Sequence, residues 1–253
     1  MHKSGTRVIA LCGKGGVGKT SLSAAIVKIL TQNPENRVLA IDADPAIGLA
    51  PCLGFRVEKT VDDIRNSLVQ QVMDGKKQDP DDVVSRLDYE MFSALKERGN
   101  LAFLAIGRPE KEGCYCQVNH ILKDIISSIA VNFDYVVIDG EAGVEQVNRR
   151  VMEKVSHLIL VSDASARGLN VAKTIKEVSD SSISYEKAGL ILNRVRTAAE
   201  VENLFIPDVL DCLGWVPEDD VIRQYDIEGK SILGLTGSPG LDAAKLCMAA
   251  MEL

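Results

Sequence analysis

The stretch Gly13-Lys14-Gly15-Gly16-Val17-Gly18-Lys19-Thr20 fills the template G-x-x-x-x-G-K-[ST] and carries a second lysine early in the loop. An apolar run at 7–11 precedes it, and a helix-compatible stretch at 19–30 follows it. A strand that passes through glycines into a helix turns backbone N–H groups toward an anion, and the helix start adds partial positive charge there. The stretch therefore predicts a site for the phosphates of a nucleotide.

Within such a loop the template lysine, Lys19, and the hydroxyl residue that follows it, Thr20, have separate roles. Lys19 is expected to reach the β and γ phosphates, and the Thr20 hydroxyl is expected to hold Mg²⁺. A chance glycine turn is the alternative, which the flanking strand and helix disfavour. The residues predicted to bind ATP or ADP here are Gly13, Lys14, Gly15, Gly16, Val17, Gly18, Lys19, Thr20 and Ser21.

The composition bounds the partners and the compartment. The 253 residues include 29 Lys and Arg against 36 Asp and Glu, a formal net charge of -7, which disfavours a nucleic-acid or polybasic membrane surface. No apolar run has the length of a membrane span, and no secretory segment is evident at the N-terminus, so we expect a cytoplasmic protein. Four of the six cysteines stand singly among apolar neighbours and are expected to be small buried side chains. These four are Cys12, Cys52, Cys212 and Cys247.

Short apolar runs recur along the chain, and helix-length segments separate most of them. The predicted strands are 7–12, 37–41, 101–106, 134–138, 157–162, 187–192 and 211–216. This alternation is typical of a parallel sheet covered on both faces. We therefore predict one α/β domain over residues 1–253, a doubly wound, mostly parallel sheet of about seven or eight strands, with a helical insertion around 55–100.

Acidic residues follow two of the predicted strands. Asp42 and Asp44 come after the second strand, and Asp139 follows the fourth. Ligands of doubly wound sheets collect at the carboxyl ends of the strands, so we expect these carboxylates to face the phosphates. Asp42 and Asp139 are predicted to lie in the magnesium shell, and Asp44 to orient the attacking water. Ordinary polar turns after strands are the alternative.

Two later strand ends are candidates for contact with the base. Asn193 and Arg194 close the sixth predicted strand, and an amide there could pair with a purine edge. Pro217 closes the seventh predicted strand at a similar level. Asparagine at a strand end is more often a turn former, so these assignments are weak on the residues alone.

Taken in chain order, Lys14, the Asp-x-Asp-Pro element at 42–45, Asp139 and Asn193-Arg194 resemble the deviant P-loop ATPases. That group includes the MinD and ParA types of cell-division and plasmid-partition protein and the nitrogenase iron protein. The resemblance implies a homodimer that closes on ATP, in which Lys14 reaches the phosphates bound by the partner. It also implies a magnesium-dependent ATPase, with Lys14 and Lys19 stabilising charge on the transferring phosphoryl group.

The segment Gly113-Cys114-Tyr115-Cys116 is a candidate metal loop, placed at 113–117. Cys-x-Cys alone is a weak signal, because one chain supplies only two thiolates. A two-fold dimer would bring two pairs together and complete the four-sulfur set that zinc or nickel accepts. Cys114 and Cys116 are therefore predicted to bind Ni²⁺ or Zn²⁺ between two subunits.

The Cys-x-Cys pair in this position is similar to that of the CooC-type nickel-insertion ATPases, which mature carbon monoxide dehydrogenase. The resemblance implies that ATP hydrolysis opens the dimer and releases nickel to a client enzyme, either carbon monoxide dehydrogenase or acetyl-CoA synthase. The residues do not separate nickel from zinc or one client from the other. His120, four positions after Cys116, is a possible extra ligand, and a structural role at the start of the next helix is the alternative.

Three other functions stay open. An electron-transfer ATPase like the nitrogenase iron protein would need a second cysteine shortly past Asp139, where this chain has Gln146. A positioning or partition ATPase would need a basic membrane helix or a DNA-binding face, and the C-terminal stretch 241–253 has one lysine against two acids. That stretch is expected to pack on the domain. A regulatory module could use Cys114 and Cys116 as a redox pair instead.

Overall fold

A single eight-stranded sheet forms the centre of the structure. The structure, a computed structural model, describes residues 5–73, 80–108, 116–140, 151 and 154–253, without the side chains of 71–73, 80–85 and 116–119. The strands are β1 Arg7–Gly13, β2 Val38–Asp42, β3 Lys96–Arg98, β4 Leu101–Ala105, β5 Tyr135–Asp139, β6 His157–Ser162, β7 Lys187–Val195 and β8 Cys212–Pro217. Their order is β3-β4-β2-β5-β1-β6-β7-β8, and every pair is parallel except β3 with β4.

Helices separate most of the strands, as expected for a parallel sheet. In the described part of the chain they are α1 Lys19–Thr31, α2 Leu49–Leu53, α3 Val61–Met73, α4 Pro80–Ala94, α5 Cys116–Ala130, α6 Ala166–Ser182, α7 Ala198–Glu202, α8 Asp220–Ile227 and α9 Pro239–Ala250, with a short 3-10 helix at Ile232–Gly234. The doubly wound α/β fold predicted from the sequence is confirmed.

The central strand is buried on both faces. In β1, Val8, Ala10 and Cys12 join the core on one side of the sheet, whereas Ile9 and Leu11 join the core on the other. Because successive side chains point to opposite faces, a strand covered on both sides needs an apolar residue at every position. This requirement explains the continuous apolar runs, and it places the end of β1 at the centre of the sheet.

The structure differs from the predicted elements at three places. The sequence analysis missed β3, because Lys96–Arg98 is a short charged strand with no apolar pattern. The strand β7 continues through Asn193 to Val195, three residues beyond the predicted end. Helix α5 begins at Cys116 rather than near 118, so His120 lies one turn inside the helix and not at its start.

The C-terminal helix packs on the domain, as predicted. Helix α9 lies against α1 and β8 and buries Leu241, Cys247 and Met248. Cys12 is also buried, in agreement with the sequence analysis, and Cys52 is half-buried. The expectation was wrong for Cys212, which is exposed because it opens the edge strand β8.

Candidate nucleotide-binding site

The glycine loop connects the central strand β1 to helix α1. Its first glycine, Gly13, lies so close to strand β6 that a Cβ atom there would stand 2.1 Å from the carbonyl oxygen of Val161. Its last, Gly18, caps α1 in the left-handed conformation with a φ of 86°. Both positions therefore require glycine, for lack of space in one case and for backbone conformation in the other. The loop ends at the N-terminus of a 13-residue helix, where backbone N–H groups and the helix dipole favour an anion.

The side chain of Lys19 folds back over the loop. Lys19 is 8% exposed, and its Nζ donates hydrogen bonds to the carbonyl oxygens of Gly13 at 3.0 Å and Lys14 at 3.3 Å. These bonds hold a buried ammonium group beside the backbone amides. The geometry thus concentrates positive charge where the sequence analysis predicts the β and γ phosphates.

Two residues of β7 donate hydrogen bonds to carbonyl oxygens of the glycine loop. Asn193 is buried, and its Nδ2 donates to the carbonyl oxygen of Val17 at 2.8 Å. Arg194 has a positive φ of 59°, and its Nη1 donates to the carbonyl oxygen of Gly16 at 2.9 Å. The amide nitrogen of Asn193 thus contacts the loop, a role that the sequence analysis did not foresee. Its contact with a purine edge stays a prediction.

A cavity of about 530 Å³ opens beside the first turn of α1. Its volume is in the range of small-molecule sites. Residues from the ends of β7 and β8, the start of α8 and the first turns of α1 form its walls. They include four of the residues predicted to contact the nucleotide, Ser21, Asn193, Arg194 and Pro217, together with the charged side chains of Arg196, Glu218, Asp219, Arg223 and Asp226. The cavity lies beside the residues predicted to contact the base, and those contacts stay predictions.

Two buried carboxylates stand side by side below the loop. Asp42 and Asp139 are register partners at the ends of β2 and β5, and both are at most 1% exposed. Asp42 accepts hydrogen bonds from the backbone N–H of Leu49 at 2.8 Å and of Asp44 at 3.2 Å. Asp139 Oδ1 accepts from the Ser23 hydroxyl at 2.9 Å. Asp139 Oδ2 has no hydrogen-bond partner of good geometry within the described residues.

The pKa values of Asp42 and Asp139 are both raised, because the two carboxyl groups are buried away from water. Burial and then the charge of Asp139 raise the pKa of Asp42 to about 7. Burial also raises the pKa of Asp139, against the Thr20 and Ser23 hydroxyls and the charge of Lys19, which lower it. Carboxylate and hydroxyl oxygens are the ligands that Mg²⁺ prefers, and a divalent cation would balance both carboxylates. The donor set of Asp42, Asp139 and Thr20 therefore fits magnesium.

Asp44 lies in the turn that leaves β2. Its carboxylate accepts a hydrogen bond from the backbone N–H of Ala46 at 2.8 Å, which makes the residue a turn former of the kind weighed as the alternative. Its own N–H is held by Asp42 Oδ1. The turn fixes Asp44 next to the magnesium-type pair. Its role in orienting water stays a prediction.

Lys14, the early lysine of the loop, has an acidic partner that was not predicted from the sequence. Lys14 Nζ lies 3.7 Å from Asp163 Oδ2, at the end of β6. Like Asp42 and Asp139, Asp163 follows an apolar strand whose carboxyl end meets the loop. The rule that located the other carboxylates would have located this one as well.

The predicted metal loop is mostly outside the described residues. Cys114 lies outside them, as does Gln146, and only the backbone of Cys116 is described, as the first residue of α5. The side chain of His120 is 69% exposed and pairs with Asp124 at 3.7 Å. Within the described ranges no group of three or more His, Cys, Asp and Glu is arranged to hold a metal ion. The nickel or zinc site therefore stays a prediction.

Among the residues that the structure covers, none of the helices combines the length and apolar character needed to cross a bilayer.

Comparison with known proteins identifies the family of this site. Residues 8–232 match the model of the CobQ/CobB/MinD/ParA nucleotide-binding domain. An uncharacterised ATP-binding protein of Methanocaldococcus jannaschii is 37% identical over 228 residues, with 88% of each chain covered. The carbon monoxide dehydrogenase accessory protein CooC of Rhodospirillum rubrum is 28% identical over 269 residues, covering 96% of this chain and 95% of CooC. The septum site-determining protein MinD of Pyrococcus horikoshii, solved with Mg-ADP, superposes with a TM-score of 0.63 at 23% identity, covering 98% and 99% of the chains.

Proposed function

The chain belongs to the CobQ/CobB/MinD/ParA nucleotide-binding domain family, and from this premise we propose that it is a magnesium-dependent ATPase that pairs on ATP and delivers nickel to a client enzyme. This function has an ATPase level, which is the ATP-driven switch, and a metal level, which is the binding and delivery of nickel. Different observations support the ATPase level and the metal level.

The arrangement of charged groups around the glycine loop is the observation that supports ATPase activity. The buried ammonium of Lys19, the loop amides and the paired carboxylates of Asp42 and Asp139 converge at the carboxyl end of β1, next to the 530 Å³ cavity. Preorganised positive charge on one side and a fitting magnesium shell on the other are what phosphoryl transfer requires. The Mg-ADP complex of the MinD structure supports the same ligands here.

Each residue of the site has a defined role in the proposed reaction. Lys19 would stabilise the charge on the β and γ phosphates, and Thr20 with Asp42 and Asp139 would hold the cation. When bound, Mg²⁺ neutralises the phosphate oxygens. Asp44 orients the water that attacks the γ phosphorus. The bond from that phosphorus to the bridging oxygen breaks, ADP leaves with the bridging oxygen, and the proton of the water goes to the released phosphate. Arg194 keeps the loop closed through Gly16.

Lys14 carries the pairing step. In contrast to Lys19, whose ammonium is buried against the loop, Lys14 has 35% of its side chain exposed at the loop mouth. From there it can contact phosphates bound by a second copy. A cation supplied by the partner would add transition-state stabilisation only when two chains meet, which would couple hydrolysis to pairing.

The metal level is supported by the Cys-x-Cys pair and by the relative CooC. Cys116 opens α5, and a helix N-terminus favours the thiolate form that binds metals. Two copies would supply four thiolates from Cys114 and Cys116. Nickel, as the cargo, would lose half of its ligands when the subunits separate after hydrolysis, which lowers its affinity and releases it. The client is carbon monoxide dehydrogenase or, as an alternative, acetyl-CoA synthase.

Nickel counting under anaerobic conditions tests the metal level. We expect about one nickel per two chains with a non-hydrolysable ATP analogue, and its loss in Cys114→Ala and in Cys116→Ala. Cys212→Ala is the matched control, because Cys212 is an exposed thiol on the edge strand β8. Retention of nickel by both Cys-x-Cys variants, or one nickel per single chain, would contradict a shared site.

A regulatory or positioning ATPase without metal transfer is the second candidate. The similarity of the fold to MinD favours it. Against a membrane-binding face on helix α9, Leu241, Cys247 and Met248 are buried and Leu246 is its one large apolar side chain that is exposed. Pairing on ATP without metal uptake would select this candidate over nickel delivery.

A further inference from the structure

An ion pair restrains the lysine that the proposed dimer depends on. Lys14 Nζ lies 3.7 Å from Asp163 Oδ2, and the two side chains are 35% and 38% exposed. The contact joins neighbouring strands, because β1 and β6 are register partners from Ile9 with His157 to Gly13 with Val161. Asp163 follows β6 by one residue, so its carboxylate meets the start of the glycine loop.

Asp163 is held in position by its own surroundings. Its Oδ1 accepts a hydrogen bond from the Ser165 hydroxyl at 2.5 Å, and the same hydroxyl oxygen caps α6 by accepting from the N–H of Gly168 at 3.0 Å. A Cβ atom at Gly168 would stand 2.1 Å from Asp163 Oδ1. The missing side chain at 168 thus leaves the space that Asp163 occupies, and the start of α6 fixes the carboxylate.

Lys14 is the mobile partner in this pair. Its side chain has four rotatable methylene groups and ends in exposed space, whereas the Asp163 carboxylate is short and hydrogen-bonded. The backbone carbonyl of Lys14 is held by Lys19 Nζ, so only the side chain is free to turn. A phosphate with greater negative charge can therefore draw the ammonium away from Asp163.

We propose that Asp163 is a positioning residue that holds Lys14 on its own chain and so opposes pairing until two copies carry ATP. The inference rests on the proposed function, because it assumes that Lys14 acts across the dimer. The ammonium leaves Asp163 when it turns to the phosphates of the partner. The pair is then a restraint that sets the protein concentration at which ATP closes the dimer.

The size of the restraint follows from its exposure. Ion pairs between partly exposed side chains are weak and are screened by salt. Removing the Asp163 charge is therefore expected to lower the dimer dissociation constant by roughly twofold to fivefold at low ionic strength. The difference should shrink at about 0.5 M salt, where charges are screened within a few ångströms.

Sedimentation of the full chain with Mg²⁺ and a non-hydrolysable ATP analogue tests the restraint. Asp163→Asn keeps the shape and the contact with Ser165 but loses the charge, and is expected to pair more tightly. Asp163→Glu restores a carboxylate and is expected to return pairing toward the wild type. Glu177→Gln is the matched control, since it removes one negative charge from the exposed pair with Lys173 on α6, the helix that follows Asp163.

A second variant, Gly168→Ala, is expected to weaken the Lys14–Asp163 ion pair by a steric change. Gly168→Ala fills the space beside Oδ1 and displaces the carboxylate, so it is expected to tighten pairing in the same direction. Pairing of Asp163→Asn that equals or is weaker than the wild type would overturn the restraint while leaving the proposed dimer intact. A wild-type chain that stays single with the analogue would overturn the proposed dimer and the restraint together.

Discussion

Asp139 and Asp42 are register partners at the ends of neighbouring strands, and the oxygen Asp139 Oδ2 has no hydrogen-bond partner of good geometry among the described residues. A buried, unpaired carboxylate oxygen lowers stability unless a cation balances it. We therefore propose that the pair forms half of a magnesium shell, which the Thr20 hydroxyl and phosphate oxygens would complete.

Replacing Asp139 with Asn should separate catalysis from folding. We expect ATP hydrolysis to fall by about 100-fold or more, because the cation loses a charged ligand. The free energy of unfolding without Mg²⁺ should not fall, since the like-charge contact with Asp42 is removed. Phosphate release and urea denaturation measure the two effects. A variant that hydrolyses ATP at the wild-type rate would contradict the magnesium assignment.

The loop glycines should differ in their tolerance of a methyl group. Gly13→Ala places a Cβ 2.1 Å from the carbonyl oxygen of Val161, so we expect a loss of about 2–4 kcal/mol in the free energy of unfolding. Gly15→Ala meets no atom within 4 Å and is expected to change stability by less than about 1 kcal/mol. Urea denaturation of both variants makes the comparison. Equal losses would show that β6 does not constrain the loop.

Asn193 should matter for the loop even without a nucleotide. Asn193→Ala leaves the buried carbonyl oxygen of Val17 without its donor, which is expected to cost about 1–3 kcal/mol of stability. Nucleotide affinity should fall as well, because the loop loses its brace. Asn203→Ala is the control, since that exposed amide donates a hydrogen bond to the carbonyl oxygen of Ala199, one turn earlier in the chain. Equal stability of the two variants would refute the bracing role.

Asp219 should make stability depend on pH at the acidic end. Burial disfavours its charged form, but hydrogen bonds from the Ser238 hydroxyl and from the N–H groups of Gly240, Ile222 and Val221 outweigh burial and hold its pKa below the ordinary value. The folded chain therefore favours the carboxylate, and this stabilisation is present above the ordinary pKa of 3.8 and lost as pH falls through the lower folded value.

Denaturation of Asp219→Ala at several pH values checks this sign. We expect a deficit of about 1–3 kcal/mol at pH 7, as for the loss of a helix cap, that becomes smaller below about pH 4. Asp208→Ala, at an exposed position, should show no such trend. A deficit in Asp219→Ala that stays constant down to pH 3 would show that the charge of Asp219 adds nothing.

The sequence was sufficient for the fold because its main features are local. The glycine template identified the turn between β1 and α1, and continuous apolar runs identified strands buried on both faces. The short strand β3 was missed, since Lys96–Arg98 pairs only through its backbone with β4 and carries no apolar pattern. The end of β7 was predicted too early because Asn193 and Arg194 are polar and interrupt the apolar pattern. Both residues continue the strand, and their side chains form hydrogen bonds to the glycine loop.

The candidate site was predicted in its parts but not in its connections. Asp42 and Asp139 were found as strand-end acids, yet no pattern in one sequence shows that they are register partners. Asp163 could have been found by the same strand-end rule, but its contact with Lys14 could not, because the two residues follow strands that are distant in the chain and adjacent only in the sheet. Cys114 lies outside the described residues, so the metal cargo depends on sequence pattern and relatives.

The mass of the chain in solution tests the central claim, that ATP joins two copies through Lys14. With Mg²⁺ and a non-hydrolysable ATP analogue, light scattering is expected to give twice the chain mass of 27.4 kDa for the wild type. Lys14→Ala is expected to bind the analogue and keep the mass of one chain. A wild type that stays at one chain mass when saturated with the analogue, or a Lys14→Ala variant that pairs as readily, would contradict the account.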